Sequence, residues 1–278
     1  MPLAARVTDA HICPMFDGPK PHAGGPIIPL NSTNVLTDKL FQARTTDKAT
    51  CVGPPDFIVT GSSTVLVNGL MAARQLDMTM HGGLITKGST TVLIGGPTAG
   101  ATLGNPAAAK ATCNANGAQQ SNNNCGVESS RQLITKNGKA ISENDLLDDA
   151  IAHGDADDAR NRKDAGGTGP SGRRDILARH GVPSTLEPQG MASITQGVAE
   201  GKGVITSHEA SILWGPGHGS GGHAIVVTGL TYDANGKLVT VTTNDTGIGE
   251  CGREVDADQF EKSLRPGRDV NVTTNPIW

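Results

Sequence analysis

The sequence predicts an α+β protein in two parts: an all-β N-terminal domain with pseudo-threefold symmetry and an α+β C-terminal domain. Residues 1–100 contain no Glu and are rich in Val, Thr, Gly and Pro, a composition typical of turns and short strands. The same residues contain an internal repeat. Helical patterns begin only from about residue 119, after a small, polar segment at 101–118 that resembles a linker. We therefore expect domains at 1–100 and 119–278, joined by this linker.

Composition and charge argue against several classes of protein. The net charge of −4 argues against a nucleic-acid-binding protein that relies on bulk positive charge. No apolar run approaches the length of a transmembrane helix, and the first residues lack the pattern of a signal peptide. The five cysteines are odd in number and unevenly spaced, which favours reduced thiols with metal-binding or catalytic roles over a disulfide scaffold.

The repeat is visible when residues 58–81 are aligned with residues 28–51. A third copy is divided, with its first half at 85–93 and its second half near the N-terminus. A single repeat cannot bury its Val and Leu face, whereas three repeats together can, which predicts a closed, pseudo-threefold object of short strands. The matched positions are Ile28 and Ile58; Ala5, Ala43 and Ala73; Arg6, Arg44 and Arg74; Asp9, Asp47 and Asp77; and Cys13, Cys51 and His81.

The last of these matched positions predicts a metal site. Cys13, Cys51 and His81 would surround one axis, with His11 and His22 close by in the chain. Zn²⁺ takes four such thiolate and imidazole ligands in tetrahedral geometry, and a structural zinc would stabilise a small domain that is poor in aromatic residues. The residues alone leave five candidates for four ligand positions.

Three segments of the N-terminal part resemble a PAAR domain. They are PMFDGPKPHAGGPI, CVGPPDFIVTGSSTVLVNGLMAAR and DMTMHGGLITKGSTTVLIGG, and the resemblance covers about residues 1–97. Where the family name expects Pro-Ala-Ala-Arg, this chain reads LAAR and FQAR. The resemblance implies a small cone of β strands on the tip of the type VI secretion spike, with the valine-glycine repeat protein of that spike as its partner.

The PAAR resemblance also implies a zinc ion near the point of the cone, held by three His and one Cys. Carried over to this chain, the ligands are His11, His22, His81 and Cys51. The symmetry of the repeat instead includes Cys13, in place of Cys51 or His11, and both sets remain open at this point.

Cys125 is the candidate nucleophile of the C-terminal domain. Asn and Ser precede it as helix N-cap residue types, and a helix of about ten residues follows, up to the turn signal Asn137-Gly138. A Cys in the first turn faces unpaired N–H groups and the positive end of the helix dipole, and both lower its pKa. Gln119, six residues upstream, could donate its amide to an oxyanion, and Gln120 is the alternative.

His223 and Asp245 complete a candidate catalytic constellation. Residues 224–230 and 238–243 predict a β-hairpin around the turn sequence DANG. This hairpin brings Asn244 or Asp245 roughly opposite His223. A carboxylate or amide bonded to one imidazole nitrogen fixes the tautomer, and the other nitrogen then faces the thiol.

The segments around these residues resemble the papain-like cysteine peptidases, especially the bacteriocin-processing branch. That branch has a Gln six residues before a Cys-Gly, a Gly-His that opens an apolar strand, and an Asp at the end of the next strand. The resemblance implies that Cys125 is the nucleophile, His223 the general base and then acid, Asp245 the orienting residue and Gln119 the oxyanion donor. Asn244 remains the alternative orienting residue, because papain itself uses Asn.

Together the two resemblances imply an antibacterial type VI secretion effector. Its protease would cleave a protein in the recipient bacterium, in the cytoplasm rather than the periplasm, and the producer would need a cognate immunity protein. Two alternatives remain: a peptidoglycan amidase or endopeptidase that uses the same Cys–His pair on a different substrate, and a non-enzymatic spike-tip adaptor. Cys113 and Cys251 are expected to be free thiols, since a disulfide between them would need an oxidising compartment.

Overall fold

The structure, a computed structural model, describes residues 1–28, 32–215 and 221–278. Its chain divides into two compact units, one formed by residues 1–103 and 231–239 and the other by residues 104–230 and 240–278. The first unit is rich in β structure and the second mixes helices and strands, so the predicted α+β class is confirmed. Among the described residues, no helix is long and apolar enough to cross a membrane.

Short strands make up the N-terminal unit, and most pair with one neighbour in two-stranded sheets. The strands are β1 His11–Ile12, β2 Phe16–Asp17, β3 Lys20–Pro21, β4 Gly24–Ile27, β5 Leu36–Thr37, β6 Leu40–Phe41, β7 Lys48–Cys51, β8 Asp56–Phe57, β9 Thr60–Ser62, β10 Leu66–Val67, β11 Leu70–Met71, β12 Leu84–Ile85 and β13 Thr98–Gly100, followed by β14 Thr102–Gly104.

A ring of three backbone hydrogen bonds closes the repeat. The N–H of Ala43 donates to the carbonyl of Ala5 at 2.9 Å, and the N–H of Ala73 donates to the carbonyl of Ala43 at 2.9 Å. The N–H of Ala5 donates in turn to the carbonyl of Ala73 at 3.0 Å. Each repeat therefore bonds to the next around one axis, and the predicted pseudo-threefold closure is confirmed.

Gln42 occupies this axis, where the other two repeats carry Ala. Its side chain is 2% exposed, and Nε2 lies 2.8, 2.9 and 3.1 Å from the carbonyl oxygens of Ala5, Ala43 and Ala73. The amide oxygen accepts a hydrogen bond from Thr37. Gln42, which stands in FQAR where LAAR has Ala4, thus supplies one amide group to the three carbonyls that converge on the axis.

Each repeat also contains the same Arg–Asp turn. The Asp carboxylate accepts the backbone N–H of the Arg three residues earlier, at 2.7–3.0 Å, and lies against its guanidinium. The residue before the Asp is left-handed in all three copies, with φ between 70° and 73°. The three turns run from Arg6 to Asp9, from Arg44 to Asp47 and from Arg74 to Asp77, with Thr8, Thr46 and Leu76 as the left-handed residues.

In the structure, the residue equivalent to Ile58 is Ile27, one position before the Ile28 that the sequence alignment predicts. The left-handed residue of each turn donates its N–H to an Ile carbonyl, and these acceptors are Ile27, Ile58 and Ile85. Alignment by offset instead places Ile28 on Ile58. The difference arises because Val35 follows Ile27 by eight positions, whereas Val65 follows Ile58 by seven, so this copy of the repeat has one more residue in that segment.

The C-terminal unit places helices against an antiparallel sheet. The helices are α1 Pro106–Asn116, α2 Cys125–Lys136, α3 Glu143–Ala152, α4 Pro170–Arg179, α5 Met191–Ala199, α6 Ala210–Trp214 and α7 Ala257–Ser263, with a 3₁₀ turn at Arg162–Asp164. The strands are β15 Ser184–Pro188, β16 Lys202–Glu209, β17 Gly222–Tyr232, β18 Leu238–Asp245, β19 Glu250–Asp256 and β20 Asp269–Pro276. The strand order is β15-β20-β16-β17-β18-β19.

The core of this unit joins α2, α3 and α4 to the middle of the sheet. Leu133 and Ile134 of α2 are fully buried with Leu146 of α3 and Ile176 of α4, in one cluster that includes Ile205 of β16. Burial of each such side chain contributes about 1.5–3 kcal/mol. Helix α2 is therefore held firmly at the position from which its first residue, Cys125, enters the site.

Residues 106–116, expected to be part of a linker, form helix α1. The local signals for this helix are present: Asn105 is the N-cap and accepts the N–H of Ala108, Pro106 follows at the first position, and the segment is rich in Ala. Cys113 of this helix is buried and forms a disulfide with Cys251 of β19, so the expectation of two free thiols is wrong for this pair. Helix α1 packs against β19, so these residues belong to the folded C-terminal unit and are not a free linker.

Candidate active site and candidate metal centre

Cys125 is the first residue of α2. The N-cap, Asn124, makes no side-chain capping bond, so it leaves the first N–H groups of the helix free of that partner. Buried Glu143 accepts the backbone N–H groups of Gln120 and Ser121 and the side-chain amide of Asn124. These bonds fix the loop that leads into the helix, and with it the position of the Cys125 thiol.

His223 and Asp245 lie at the adjacent ends of β17 and β18. His223 follows the first residue of β17, Asp245 is the last residue of β18, and the His223 Nε2 to Asp245 Oδ1 distance is 2.7 Å. Because Nε2 is bonded to Asp245, Nδ1 is the ring nitrogen left for the thiol. Next to the imidazole, the Sγ of Cys125 accepts the backbone N–H of Ala224 at 3.4 Å.

Asp245 is held by three further groups although it is fully buried. Trp214 donates its indole N–H to Oδ2 at 2.7 Å, and the backbone N–H of Gly247 donates to Oδ1 at 3.1 Å. Arg253 lies 3.8 Å from Oδ2. The Trp214 ring also packs on His223, with ring centroids 4.6 Å apart. A Cβ at Gly247 would lie 2.6 Å from the imidazole, so this close approach requires glycine.

The three side chains shift one another's pKa in the direction of an ion pair. Burial raises the pKa of the Cys125 thiol, but the hydrogen bond and positive charge of His223 outweigh it, and the net pKa is lowered. Burial alone would lower the pKa of His223, whereas its bonds to Asp245 and Cys125 raise it to about 9. Burial disfavours ionised Asp245, yet His223 and Trp214 hold the pKa of this carboxyl below its usual value. The shifts thus act in the direction of a thiolate–imidazolium pair.

Asn244 points away from the imidazole. Its amide donates to the carbonyl of Ala109 and to Gln132, each at 2.9 Å, and its oxygen accepts the N–H of Gly252. The register shift between Thr243 and Asn244 contributes to this arrangement. Of the two alternatives, the structure brings Asp245 to His223 and commits Asn244 to structural bonds.

Gln119 does not line the cleft. Its amide donates to the carbonyl of Ser121 at 2.8 Å, and its oxygen accepts the Thr246 hydroxyl at 3.2 Å. The Gln120 side chain is exposed. Gln119 therefore braces the loop before α2 against the residue that follows Asp245, and the expected oxyanion donor is not in place to donate.

A cleft of about 750 Å³ opens over Cys125 and His223. Trp214 and Arg173 are among its residues that sequence reasoning missed. Trp214 could have been suspected, because it precedes a Gly-rich segment. His218, which the Gly-rich sequence before His223 suggests as a substrate-loop residue, lies outside the described residues. His208 faces His223 in the strand register, but burial lowers its pKa to about 3 and it is bonded to Thr206 and Ser263.

The N-terminal unit gathers a second group of Cys and His side chains. The ligand atoms of Cys13, His22, Cys51 and His81 all lie within 4.8 Å of one another. Cys13 Sγ lies 3.6 Å from His81 Nδ1, and Cys51 Sγ lies 3.5 Å from His22 Nδ1. A tetrahedral zinc with Zn–S of about 2.3 Å and Zn–N of about 2.0–2.1 Å holds S and N about 3.6 Å apart. The donor set and its spacing fit a zinc ion.

His11 lies outside this group, and Cys13 takes its place. His11 Nδ1 is bonded to the carbonyl of Gly25 at 2.8 Å, and Nε2 lies 3.3 Å from Asp56 Oδ2. Asp56 is fully buried and also accepts the backbone N–H of His81. A buried carboxylate needs such partners, and His11 supplies one of them. The structure therefore unites His22, Cys51 and His81 with the residue that the repeat symmetry indicates.

Comparison with known proteins finds similarity to parts of this chain. No curated protein matches the chain. Among solved structures, one described as a C39-like peptidase from Bacillus anthracis is similar, at 14% sequence identity and a TM-score of 0.40, over 55% of this chain and 90% of that chain. Residues 17–86 match the protein family described as the PAAR motif. The chain thus carries a PAAR motif in its N-terminal unit, as the sequence predicts.

Proposed function

We propose that this protein is an antibacterial type VI secretion effector whose C-terminal unit is a papain-like cysteine protease. The PAAR motif supports the first part, since such a domain associates with the spike of that system. The N-terminal unit would dock on the valine-glycine repeat spike protein and carry the protease into a recipient bacterium. There it would cleave a protein substrate, and the producing cell would need an immunity protein that blocks the cleft.

One observation carries the enzymatic part of the proposal. The Cys125 thiol lies at the start of α2 against His223, and His223 is bonded at 2.7 Å to the buried carboxylate of Asp245. Nucleophile, base and orienting group are then in contact in that order, which is the geometry of an activated thiol. We assign the catalytic triad to these three residues.

The reaction follows from these positions. The Cys125 thiolate attacks the carbonyl carbon of the scissile amide, and the carbonyl π electrons move to oxygen to give a tetrahedral oxyanion. His223 donates its proton to the leaving amine as the C–N bond breaks, which leaves an acyl-enzyme thioester. Neutral His223 then takes a proton from water, whose oxygen attacks the thioester and releases acid and thiolate. Backbone N–H groups at the start of α2, which the N-cap side chain leaves uncapped, would stabilise the oxyanion.

A zinc ion would serve the N-terminal unit structurally. Cys13, His22, Cys51 and His81 would hold it, two as thiolates and two as neutral imidazoles. When bound, the ion links segments that are far apart in sequence. The protease chemistry is assigned to the side chains of the other unit.

The disulfide favours a second candidate function. Cys113–Cys251 would persist in an oxidising compartment such as the periplasm and would be reduced in most bacterial cytoplasms. The same triad acting there could cut amide bonds of peptidoglycan. The sequence favours a cytoplasmic protein substrate, and this one bond is the observation that favours the periplasmic alternative.

Toxicity in a bacterial host separates these possibilities. The full chain would be expressed with and without a periplasmic signal peptide, as wild type, Cys125→Ala and His223→Ala. His153→Ala is the matched control, because His153 is exposed on the same unit, where it bonds to Asp149.

Killing by the cytoplasmic wild type and His153→Ala, lost in the other two variants, supports the protease, and the host proteins that disappear identify its substrate. Killing only from the periplasm supports the amidase. Unchanged killing by Cys125→Ala would refute the triad. No killing in either compartment would favour a non-enzymatic spike-tip adaptor.

A further inference from the structure

A buried arginine lies in the wall of the cleft beside Cys125. Arg173, on α4, is 2% exposed, yet it lines the same cavity as Cys125 and His223. Its Nε donates to Asn271 at 2.8 Å and its Nη2 to Ser207 at 2.9 Å. Both partners are neutral, and within the described part of the chain Arg173 forms no ion pair with a carboxylate. Buried charges in proteins are normally paired, whereas the only opposite charge that acts on this guanidinium among the described residues is that of the Cys125 thiolate.

The guanidinium is charged despite its burial. Burial lowers the pKa of Arg173 to about 10, which leaves it protonated at neutral pH. Its stem packs at the start of α2, where a Cβ on Gly126 would lie 3.4 Å from its Cδ. The positive charge also acts on the Cys125 thiol and helps to lower its pKa. Because Arg173 lines the same cavity as Cys125, it is placed to contact a substrate bound there.

Two more arginines line the same cavity. Arg268 is exposed, and its charge lowers the pKa of Arg173, which shows that the two guanidiniums are neighbours. Arg265 packs over Gly222, where an added Cβ would lie 2.2 Å from its Nη1, so glycine at this position makes room for the guanidinium. Its nearest carboxylate, Glu209, is 4.0 Å away. The three side chains form a cationic pole, defined as Arg173, Arg265 and Arg268.

From this pole we infer that the cleft binds a carboxylate of its substrate next to the bond that is cut. The inference rests on the proposed function and names its substrate class: peptides with an acidic group beside the scissile amide. Arg173 would supply the buried contact, and Arg268 and Arg265 would supply the solvent-facing ones. Arginine suits this role, since its planar guanidinium donates two parallel hydrogen bonds to one carboxylate. The carboxylate would be either an Asp or Glu side chain or a free chain end.

Two alkylating reagents of nearly equal shape test the inference without a known substrate. Iodoacetate carries a carboxylate, iodoacetamide carries a neutral amide, and both form the same kind of thioether with Cys125. Rates on the full chain would be measured at pH 6, with peptide mapping to separate Cys125 from Cys13 and Cys51. Each rate would be divided by the rate for N-acetylcysteine amide, so that the intrinsic difference between the reagents cancels.

We expect the normalised ratio of the iodoacetate rate to the iodoacetamide rate at Cys125 to be about ten, because the cationic pole raises the local concentration of an anion. Arg173→Gln and Arg268→Gln should each reduce that ratio several-fold. Arg174→Gln is the matched control, because Arg174 sits on the same helix, is paired with Asp175 and lies outside the cleft. Arg268 is exposed, so its variant remains informative if Arg173→Gln fails to fold.

The outcomes separate this inference from the proposed function. Rapid reaction with iodoacetamide and a normalised ratio near one would overturn the carboxylate site and leave the nucleophile standing. An unchanged ratio in both Arg268→Gln and folded Arg173→Gln would also overturn it. Failure of Cys125 to react with either reagent at pH 6 would overturn the proposed nucleophile itself, and the carboxylate site with it.

Matched peptides then distinguish the two sources of the carboxylate, through their protection of Cys125 from iodoacetamide. One pair is acetyl-Ala-Glu-Ala-amide and acetyl-Ala-Gln-Ala-amide; the other is acetyl-Ala-Ala-Ala as the free acid and as the amide. Stronger protection by the Glu peptide indicates an acidic side chain, and stronger protection by the free acid indicates a chain end. Equal protection by acid and amide in both pairs would contradict the assignment.

Discussion

The two units use the same pair of functional groups, a thiol beside an imidazole, for opposite purposes. In the N-terminal unit, Cys13 and His81 are neighbours at 3.6 Å and a second thiol and imidazole complete the group. In the C-terminal unit, Cys125 meets His223, and the third member is the carboxylate of Asp245. The groups added to the Cys–His pair thus distinguish the candidate metal centre, with a second thiol and imidazole, from the proposed nucleophile, with a carboxylate.

The difference teaches how each unit balances charge. Two thiolates and two neutral imidazoles carry a net negative charge that a divalent cation offsets. One thiolate with one imidazolium is already neutral, and the added carboxylate keeps the proton on His223, whose pKa rises to about 9. A buried carboxylate lies near both groups. Asp56 Oδ2 is 3.3 Å from His11 Nε2 and 3.7 Å from His81 Nδ1 in the first, and Asp245 Oδ1 is 2.7 Å from His223 Nε2 in the second.

The largest expected effect is loss of the metal. Cys13→Ser should remove stoichiometric zinc from the full chain and lower the stability of the N-terminal unit steeply, because structural zinc contributes about 10–16 kcal/mol in small zinc-dependent folds. His11→Gln should keep the metal, since His11 is bonded to Gly25 and Asp56. Elemental analysis and thermal unfolding measure both. If His11→Gln loses zinc while Cys13→Ser keeps it, the family's three-His pattern holds and the structural assignment fails.

The next effect is on the catalytic pair. Asp245→Asn removes the charge that raises the pKa of His223, so that pKa should fall from about 9 toward or below the ordinary value of about 6.5. Less imidazolium at pH 6 raises the pKa of Cys125, and alkylation by iodoacetamide at that pH slows. Proteolysis should fall about 10³–10⁴-fold, by comparison with the equivalent change in a serine triad.

The pH profile of alkylation is the measurement for this variant. Its acid limb should move to higher pH in Asp245→Asn and stay in place in Asp258→Asn, an exposed carboxylate in the first turn of α7. An identical profile in wild type and Asp245→Asn would mean that Asp245 does not act through His223.

A smaller effect tests the symmetric unit alone. Gln42→Leu removes the amide that contacts three carbonyls on the axis and leaves the Thr37 hydroxyl without its acceptor. The cost should be about 1–3 kcal/mol in the free energy of unfolding. Gln75→Leu, which loses one bond near the surface, should change stability by less than about 0.5 kcal/mol. If denaturant titrations gave the same loss of unfolding free energy for Gln42→Leu and Gln75→Leu, the hydrogen bonds on the axis would contribute no more than a surface bond.

The smallest effect should be a gain. Leu76 has φ of 72° and is 66% exposed, so it holds a left-handed conformation that costs a branched residue about 1–2 kcal/mol. Leu76→Asn should therefore raise stability by up to about 1 kcal/mol, since Asn tolerates this region. Leu66→Asn, at a similarly exposed position on β10, should bring no gain. A loss at position 76 would show that the Leu side chain makes a contact worth more than the strain.

Sequence reasoning was most successful where distance along the chain fixes distance in space. A hairpin of known turn places the end of one strand beside the start of the other. This was enough to bring Asn244 or Asp245 opposite His223, and the structure shows that Asp245 makes the contact. A repeat places its equivalent residues around one axis, which was enough to unite Cys13, Cys51 and His81. Both arguments use backbone geometry alone.

Sequence reasoning was less successful where several groups compete for hydrogen bonds to one side chain. His11 has the right type and position for a ligand, but the burial of Asp56 makes it a partner for that carboxylate. Gln119 stands at the spacing of an oxyanion donor, yet Thr246 and the Ser121 carbonyl occupy its amide. Such competition is decided by tertiary contacts between residues that no local pattern connects.

The disulfide places two opposing demands on the surroundings of the C-terminal unit. Cys113 and Cys251 lie 138 residues apart, and the bond between them encloses all three triad residues within one loop. Cys125 must stay reduced to attack a substrate, while the enclosing bond must stay oxidised. A reductant added to protect the nucleophile therefore also threatens the scaffold that carries it. Activity plotted against the concentration of added thiol should therefore pass through a maximum. That maximum marks the thiol concentration at which Cys125 is reduced while the disulfide is still intact.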